Sequence, residues 1–409
     1  MDTPTNYATL SHCWGLKKFL TLNKSNISEF SKRIPFNSLT KTFREAINIA
    51  RSLGFKYIWI DSLCIIQDDA LDWKCESARM GSVYGRSGLN IAATGAPSGE
   101  SGCWLPQDEA WRCKVSLGKD GPYEIIYECI TEEKFRPKEE DLPLMKRAWV
   151  LQELFLAPRT LHFTRNQVFW ACQSTTKCEI FPSGLPRGDK MFSSSLGLPP
   201  GLGWFSCSGW RGIVERYTCS NITFGRDKLV AISSIAQLIH KDTDNTYVVG
   251  KWRNDLMFQL CWVANPGKRY APATAPSWSW ASNSGLIDYS GDGSEGCTKL
   301  YIEIQDINID YVTPSNPFGE VLGGILYLRC EYLIECTVHA SMECKGIVID
   351  EERKFKGKPR IDDMHFDDFG EHAGNDTFRA FWLPLTCDSE YAFAHTGIVL
   401  QPTEMKKGE

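Results

Sequence analysis

The chain reads as an α/β protein: a parallel-sheet core that starts βαβαβ, a helical middle region and a β-rich antiparallel C-terminal part. Three observations predict this. Tyr57-Ile58-Trp59-Ile60 is a β-branched and aromatic run of strand length that stops at Asp61-Ser62. From Asp72 the spacing changes, with Trp73, Glu76, Ser77, Met80, Val83 and Tyr84 recurring at helical steps. From Lys299 onward short alternating runs (LYIEIQDINIDYV, GGILYLRCEYLIECTV, FRAFWLPL, IVLQP) take over, the pattern of antiparallel strands.

Taken in order, Tyr7 to Leu10 forms a first strand that ends in Ser11-His12-Cys13-Trp14-Gly15. Residues 16–37 are polar and irregular. Leu39, Phe43, Ile47, Ala50 and Leu53 then mark one face of a helix, with Ser38 or Thr40 as N-cap and Gly54 closing it. The strand at 57–60, the helix that follows, and a strand from Leu89 to Ala93 complete the βαβαβ unit, for which a parallel sheet is the natural solution. The core extends over residues 1–180 and carries an insertion near 95–145, rich in Gly, Pro and charge around one strand at Tyr123 to Tyr127. Trp149, Glu153 and Leu156 belong to a short helix stopped by Pro158, and Thr160–Phe163 with Val168–Ala171 make a hairpin.

Residues 181–209 are a Gly/Pro-rich loop suited to covering a site. Residues 210–290 are a helical extension expected to pack on the core, with helices over 227–239 (Asp227 as N-cap) and around Trp252 to Trp262. Trp278 and Trp280 lie on the same side of an extended segment there. Residues 291–409 form the β-rich region, and the tail TEMKKGE is expected to be disordered.

Composition narrows the function classes. In 409 residues, 43% hydrophobic and 23% charged, there is enough apolar material for a sizeable globular core. A net charge of -5 offers no basic stripe for nucleic acid. No run approaches the ~18 apolar residues of a membrane span, and the N-terminus lacks a secretory pattern, so a cytoplasmic, membrane-free protein is expected. The sixteen cysteines show neither CxxC pairs nor zinc-finger spacing, so buried thiols are expected and no metal. Without a P-loop, Rossmann fingerprint, HExxH or GxSxG motif, no cofactor is expected either.

Polar residues crowd the end of the 57–60 strand: Asp61, Ser62, Cys64, Gln67, Asp68, Asp69 and Asp72. Ligands of open parallel sheets sit at such strand ends. Topology would bring Ser11, His12 and Cys13 beside Asp61, Ser62 and Cys64, making a crevice for a small molecule or a nucleotide; a homo-oligomer is compatible with this reading. The catalytic candidates are Glu76, Asp61, His12 and Arg147. Ligand-binding candidates are Ser11, Cys13, Trp14, Ser62, Cys64, Trp73, Trp149, Glu153, Trp278 and Trp280. Each has a plainer reading. Asp61 also suits an Asx-type cap. His12 suits a hydrogen-bonded core position, although a pairing with Cys64 or Ser62 stays open. Glu76 suits an ion pair with Arg79 or Arg147, and the tryptophans suit the core. Arg147 and Glu153, six apart, are poor helical partners, so each is expected to pair elsewhere. Arg159 is a candidate anchor for Asp61 or Glu153.

LSHCWG (10–15), WIDSLCIIQDD…DW…E…M…VY (59–84), LNIAA (89–93) and RAWVLQE…APRTLHF (147–163) together resemble the fungal heterokaryon incompatibility, or HET, domain. WRGIVERYTCSNITFGRDKL (210–229), YVVGKW (247–252) and APSWSWAS (275–282) are similar to segments that follow it in such proteins. The resemblance implies non-self recognition and cell-death signalling, and a remote likeness to Toll/interleukin-1 receptor domains, some of which cleave NAD. By that likeness Glu76 would act on the ribose. Family members usually carry sequence ahead of the first motif, so an upstream segment is expected. Two other readings stay open: a cofactor-free cyclase or pericyclase of secondary metabolism acting on a hydrophobic small molecule, and a non-catalytic interaction module.

Overall fold

Strand β1 (Tyr7–Ser11) lies between β2 (Tyr57–Ile60) and β3 (Leu89–Ala92), all parallel, with Thr9 opposite both Trp59 and Asn90. Helix α1 (Lys41–Ser52) links β1 to β2, and α2 (Ala70–Gly85) links β2 to β3, which is the expected βαβαβ start. Helix α3 (Ala148–Leu156) then leads into β6 (Arg159–Phe163), parallel to β3, and β7 (Val168–Cys172) and β8 (Thr176–Cys178) close a six-stranded sheet antiparallel. A separate hairpin pairs β4 (Arg112–Ser116) with β5 (Glu124–Glu128), two strands where the sequence predicts one. The computed structural model describes residues 6–106, 112–116, 124–128, 138–185, 207–289, 297–331, 333–340, 345–349, 358–359, 376–388 and 394–400. The chain divides into two units, Met1–Gly203 and Trp204–Glu409.

Local chemistry explains the helix bounds in the first unit. The Thr40 hydroxyl accepts from the Phe43 amide at 3.3 Å, and Gly54 just past α1 takes a φ of +83°, which costs glycine little. The α1 stripe buries Phe43, Ala46 and Ala50, but Leu53 is 51% exposed because it lies beyond the last helical turn. Asp69 caps α2 through the amides of Leu71 and Asp72.

The two faces of the sheet differ in kind. Ala8, Leu10, Ile60, Leu89 and Ile91 pack with Phe43, Ala46 and Ala50 of α1 in one apolar cluster. Each of the Leu, Ile and Phe side chains among them contributes about 1.5–3 kcal/mol by leaving water. On the opposite face, one residue out of step, stand Thr9, Ser11, Asn90, Thr160 and His162, also fully or almost fully buried. That buried polar face positions the site.

The second unit carries α4 (Cys207–Thr218) and α5 (Ser233–Thr243). Helix α5 starts six residues later than the sequence suggests, because Gly225–Asp227 and Val230–Ile232 form tighter 3-10 turns. Asp227 is therefore a buried turn residue and not a cap. The helix expected around Trp252 to Trp262 shrinks to Leu256–Gln259, since Lys251–Trp252 (β10) and Val263–Asn265 (β11) are extended at either end. Strand β9 (Tyr247–Val248) pairs with β10, and β11 with β12 (Leu286–Asp288). Further on, β14 (Ile302–Tyr311) pairs with β15 (Val321–Cys330), and β13 (Cys297–Leu300), β16 (Ile334–Ala340), β17 (Lys345–Ile349), β19 (Asp376–Asp388) and β20 (Ala394–Leu400) form an antiparallel array. Among the described residues, a parallel pairing enters that sheet through β18 (Lys358–Pro359) on β20. Residues 186–206 of the Gly/Pro-rich stretch and the tail at 401–409 lie outside the described residues.

Around the turn between β9 and β10, Val249 and Gly250 both take positive φ, +43° and +87°. A β-branched residue there is held against its preference. Three side chains hold it: Ser279 Oγ donates to the Val249 carbonyl at 2.7 Å, and the indoles of Trp210 and Trp280 both donate to the Gly250 carbonyl, at 2.9 and 2.7 Å. A Cβ on Gly250 would lie 2.6 Å from the Trp280 indole nitrogen. Gly250→Ala is therefore expected to destabilise this unit by about 2 kcal/mol or more, and urea unfolding followed by tryptophan fluorescence checks it.

Candidate functional site

Because β1 and β2 are neighbours, their C-terminal ends bring Ser11, His12, Cys13 and Trp14 beside the single helical turn Asp61–Cys64. Asp61 is the junction. One carboxylate oxygen accepts from the Ser62 amide at 2.6 Å, and the other from the Trp14 indole at 3.0 Å. The His12 Nδ1 stands 3.8 Å from the first of these oxygens. His12 is 2% exposed, and its ring meets Phe43 edge-on at 4.9 Å and Phe19 at 6.4 Å. Burial, with help from the Arg147 charge and against that of Asp61, lowers its pKa to about 4, so the imidazole is neutral at physiological pH. Neither ring nitrogen has a hydrogen-bond partner among the described residues, nor has Ser62 Oγ. The expected hydrogen-bonded core histidine and the His12 pairings with Cys64 or Ser62 are thus not made.

Beneath this rim lies the polar sheet face. Thr9 and Ser11 hydroxyls donate to Asn90 Oδ1 at 3.0 and 3.3 Å, and the Asn90 amide returns a bond to Ser11 at 3.1 Å. Tyr84, from α2, donates to the Leu10 carbonyl at 3.2 Å. Glu153, from α3, is 2% exposed beside the Ser11 and Tyr84 hydroxyls, and its Oε2 has no hydrogen-bond partner among the described residues. Burial raises its pKa to about 7, opposed by the Arg147 charge and the neighbouring hydroxyls and reinforced by Asp61. Arg147, at the N-cap position of α3, donates from Nη1 to the His12 carbonyl and so ties that helix to the end of β1. Cys13 lies in the fields of Arg147 and Glu153, and burial pushes its thiol up to about 11.

The mouth is less acidic than its sequence. Asp68 accepts from the Lys24 amide at 2.8 Å, Asp69 caps α2, and Asp72 accepts from the Ile66 amide at 2.8 Å, so these three carboxylates hold backbone. Glu76 pairs with Arg79 at 2.7 Å, the simpler of its two readings. Desolvation and the charges of Asp61 and Glu76 all raise the Cys64 thiol, against a backbone bond at Ile60, so both carboxylates bear on that one sulfur. Trp73 of α2 meets Trp149 of α3 edge-on at 6.2 Å.

Ser11, His12, Cys13, Trp14, Asp61, Ser62, Arg147 and Glu153 thus form one constellation, with Cys64 and Glu76 electrostatically joined to it and Trp73–Trp149 between its two helices. Trp278 and Trp280 belong to the second unit, where their indoles donate to the carbonyls of Gly324 and Gly250. Arg159 is exposed and pairs with neither Asp61 nor Glu153. The sequence reading places Tyr84 and Phe43 only on helix faces and does not single out Asn90 or Phe19. Asn90 carried a signal, a lone amide inside the apolar run LNIAA. Among the described residues no cluster of three or more His, Cys, Asp or Glu is placed to hold a metal, and no helix is long and apolar enough to cross a membrane.

The Glu153 shift makes stability depend on pH. Below the ordinary carboxyl pKa of about 4.5 both folded and unfolded chains are protonated there; between 4.5 and about 7 only the unfolded chain ionises, so the group's contribution is lost as pH rises. His12 acts oppositely, costing stability as pH falls from 6.5 towards about 4, and this is common to variants that keep it. Glu153→Gln should therefore gain on the wild type by about 1–3 kcal/mol between pH 5 and pH 8, read from paired urea-unfolding midpoints.

Comparison with curated proteins and with solved structures gives no match. The family model of heterokaryon incompatibility protein (HET) matches residues 7–153, from the first residue of β1 to the buried glutamate of α3. This span holds all of the constellation just described, so the constellation lies within the region that matches the HET family model.

Proposed function

We propose that the HET domain of this chain is a cell-death effector that cleaves the N-ribosyl bond of a nucleotide, NAD being the first candidate, at the ends of β1 and β2. The observation that carries this reading is the Asp61 carboxylate fixed at the end of β2 by Trp14 and the Ser62 amide, followed by a helix that carries Glu76 and one ring of an edge-on tryptophan pair. An oxocarbenium-like ribosyl centre is stabilised by such carboxylates, and indole faces suit a planar base. Glu76 is the group to meet the ribose, exchanging its ion pair with Arg79 for the developing charge. Asp61, fixed by Trp14 and the Ser62 amide, holds a ribose hydroxyl. A remote kinship with Toll/interleukin-1 receptor domains and a fungal source are in keeping with this role.

A second reading has its own support. The rings of Trp14, Phe19 and Phe43 surround the neutral His12, a setting that also suits a hydrophobic small molecule in a cofactor-free cyclisation. NAD turnover separates the two. The full chain is expected to release nicotinamide from NAD, and Glu76→Ala and Asp61→Asn should each lower the rate by roughly 10²-fold or more with the fold retained. No turnover by the wild type would sink the nucleotide reading. Equal turnover in both variants would remove these two residues from the chemistry.

A further inference from the structure

Arg147 bonds one group at the end of β1 and acts electrostatically on another, on its own helix. In this arrangement its guanidinium donates to the His12 carbonyl, while the Glu153 carboxyl, buried and with an unpartnered Oε2, lies within its field. His12 is covalently two residues from Trp14, whose indole holds Asp61. A path therefore runs from a buried acid on α3, through the charge of Arg147 and its bond to the end of β1, to the carboxylate at the crevice.

We infer that Glu153 is a positioning residue whose proton controls the crevice: protonated, it leaves Arg147 on the His12 carbonyl and the Trp14–Asp61 bond in place; ionised, it draws Arg147 to itself and releases the end of β1. A buried carboxylate held only by two hydroxyls and with Oε2 unpartnered is costly to ionise, and among the described residues the guanidinium is the cation that bears on it, so ionisation and movement of Arg147 belong together. The other groups facing Glu153 are the Ser11 hydroxyl and Cys13 at the end of β1, Tyr84 from α2 and Asp61 beyond β2. Burial keeps the Cys13 thiol near 11 and Tyr84 well above its ordinary value, while His12, which faces Arg147, titrates near 4. A transition near neutral pH at this site therefore reports Glu153. The inference rests on the crevice being the working site, but its test does not require turnover.

The test follows the Trp14 indole N–H in the full chain labelled with ¹⁵N-tryptophan, the signal being assigned by its loss in Trp14→Phe. In the wild type it should titrate with a midpoint at about pH 7. In Glu153→Gln, which is permanently neutral and nearly isosteric, the titration should vanish and the low-pH position persist to pH 8.5. Arg147→Lys should weaken it by shortening the reach of the cation. Wild-type signal that is flat from pH 5.5 to 8.5, or an unchanged titration in Glu153→Gln, would overturn the inference; the wild-type result decides alone if the variant does not fold. With NAD turnover in hand, the rate should fall above about pH 7 and this limb should be absent in Glu153→Gln. Absent turnover with an intact Trp14 titration would remove the proposed activity and leave the switch standing.

Discussion

The carboxylate of Asp61 is the point on which the first unit closes. It ends β2, starts the helical turn after it, takes the Trp14 indole from the segment after β1, and faces His12 across 3.8 Å. Two strand ends and one loop are thus fastened by a single side chain. A hydrogen bond to a charged group is worth about 1.5–3 kcal/mol, whereas leaving the indole N–H buried and alone costs a comparable amount. Asp61 is therefore structural and functional through the same contacts, and its two sequence readings, loop cap and ligand holder, are not alternatives.

Everything above Asp61 follows from the unequal faces of the sheet. The face against α1 is apolar throughout and supplies the drive to fold. The face beneath α2 and α3 carries Thr9, Ser11, Asn90 and His162, which forgo part of that drive. Such a layer is stable only where its groups bond one another, as the Thr9–Asn90–Ser11 set does and as Thr94 and His162 do at 3.0 Å. Buried atoms without a partner among the described residues occur in both units, and in this layer they include His162 Nε2 and, towards the strand ends, both nitrogens of His12, Ser62 Oγ and Glu153 Oε2. Unsatisfied buried groups are few in native proteins. Those at the end of a parallel sheet, where ligands of this architecture sit, support a working site there.

Much of this was legible in the sequence, and the boundary has physical causes. The βαβαβ order was readable because Tyr57–Ile60 and Leu89–Ala92 are short apolar runs broken by helices with clear caps. The closeness of Ser11–Trp14 to Asp61 followed from adjacency of parallel strands. What the sequence hid was the use of each acid. Asp68, Asp69 and Asp72 look like ligands in a row, but loop geometry turns each onto a backbone amide. Glu153, by contrast, reads as one polar residue in a helix with Trp149 and Leu156. Only its burial against β1 reveals a carboxyl with a raised pKa. The middle of the chain misled for a different reason: apolar spacing from Leu229 to Ile239 fits a continuous helix, yet two 3-10 turns precede α5. A period of three and one of 3.6 are hard to tell apart over a few residues.

The tryptophans of the second unit mark the limit of reading chemistry from residue type. WSWAS looks like an aromatic wall, but Trp280 is fully buried and its indole serves the Gly250 carbonyl that Trp210 also serves. The same ring lies 5.4 Å from the Lys228 ammonium, which burial pulls down to about 7 and which donates to the Asn283 carbonyl. Lys251 is caged similarly by Trp262 and Tyr289. Buried lysines of this kind need π faces and carbonyls to offset lost hydration, and a turn with Val249 at positive φ needs donors to hold it. Tryptophan supplies both a face and an N–H. Its density in these motifs is accounted for by those internal demands before any ligand is invoked, which is why the case for chemistry rests on the first unit, where the ends of two parallel strands bring His12 and Asp61 together.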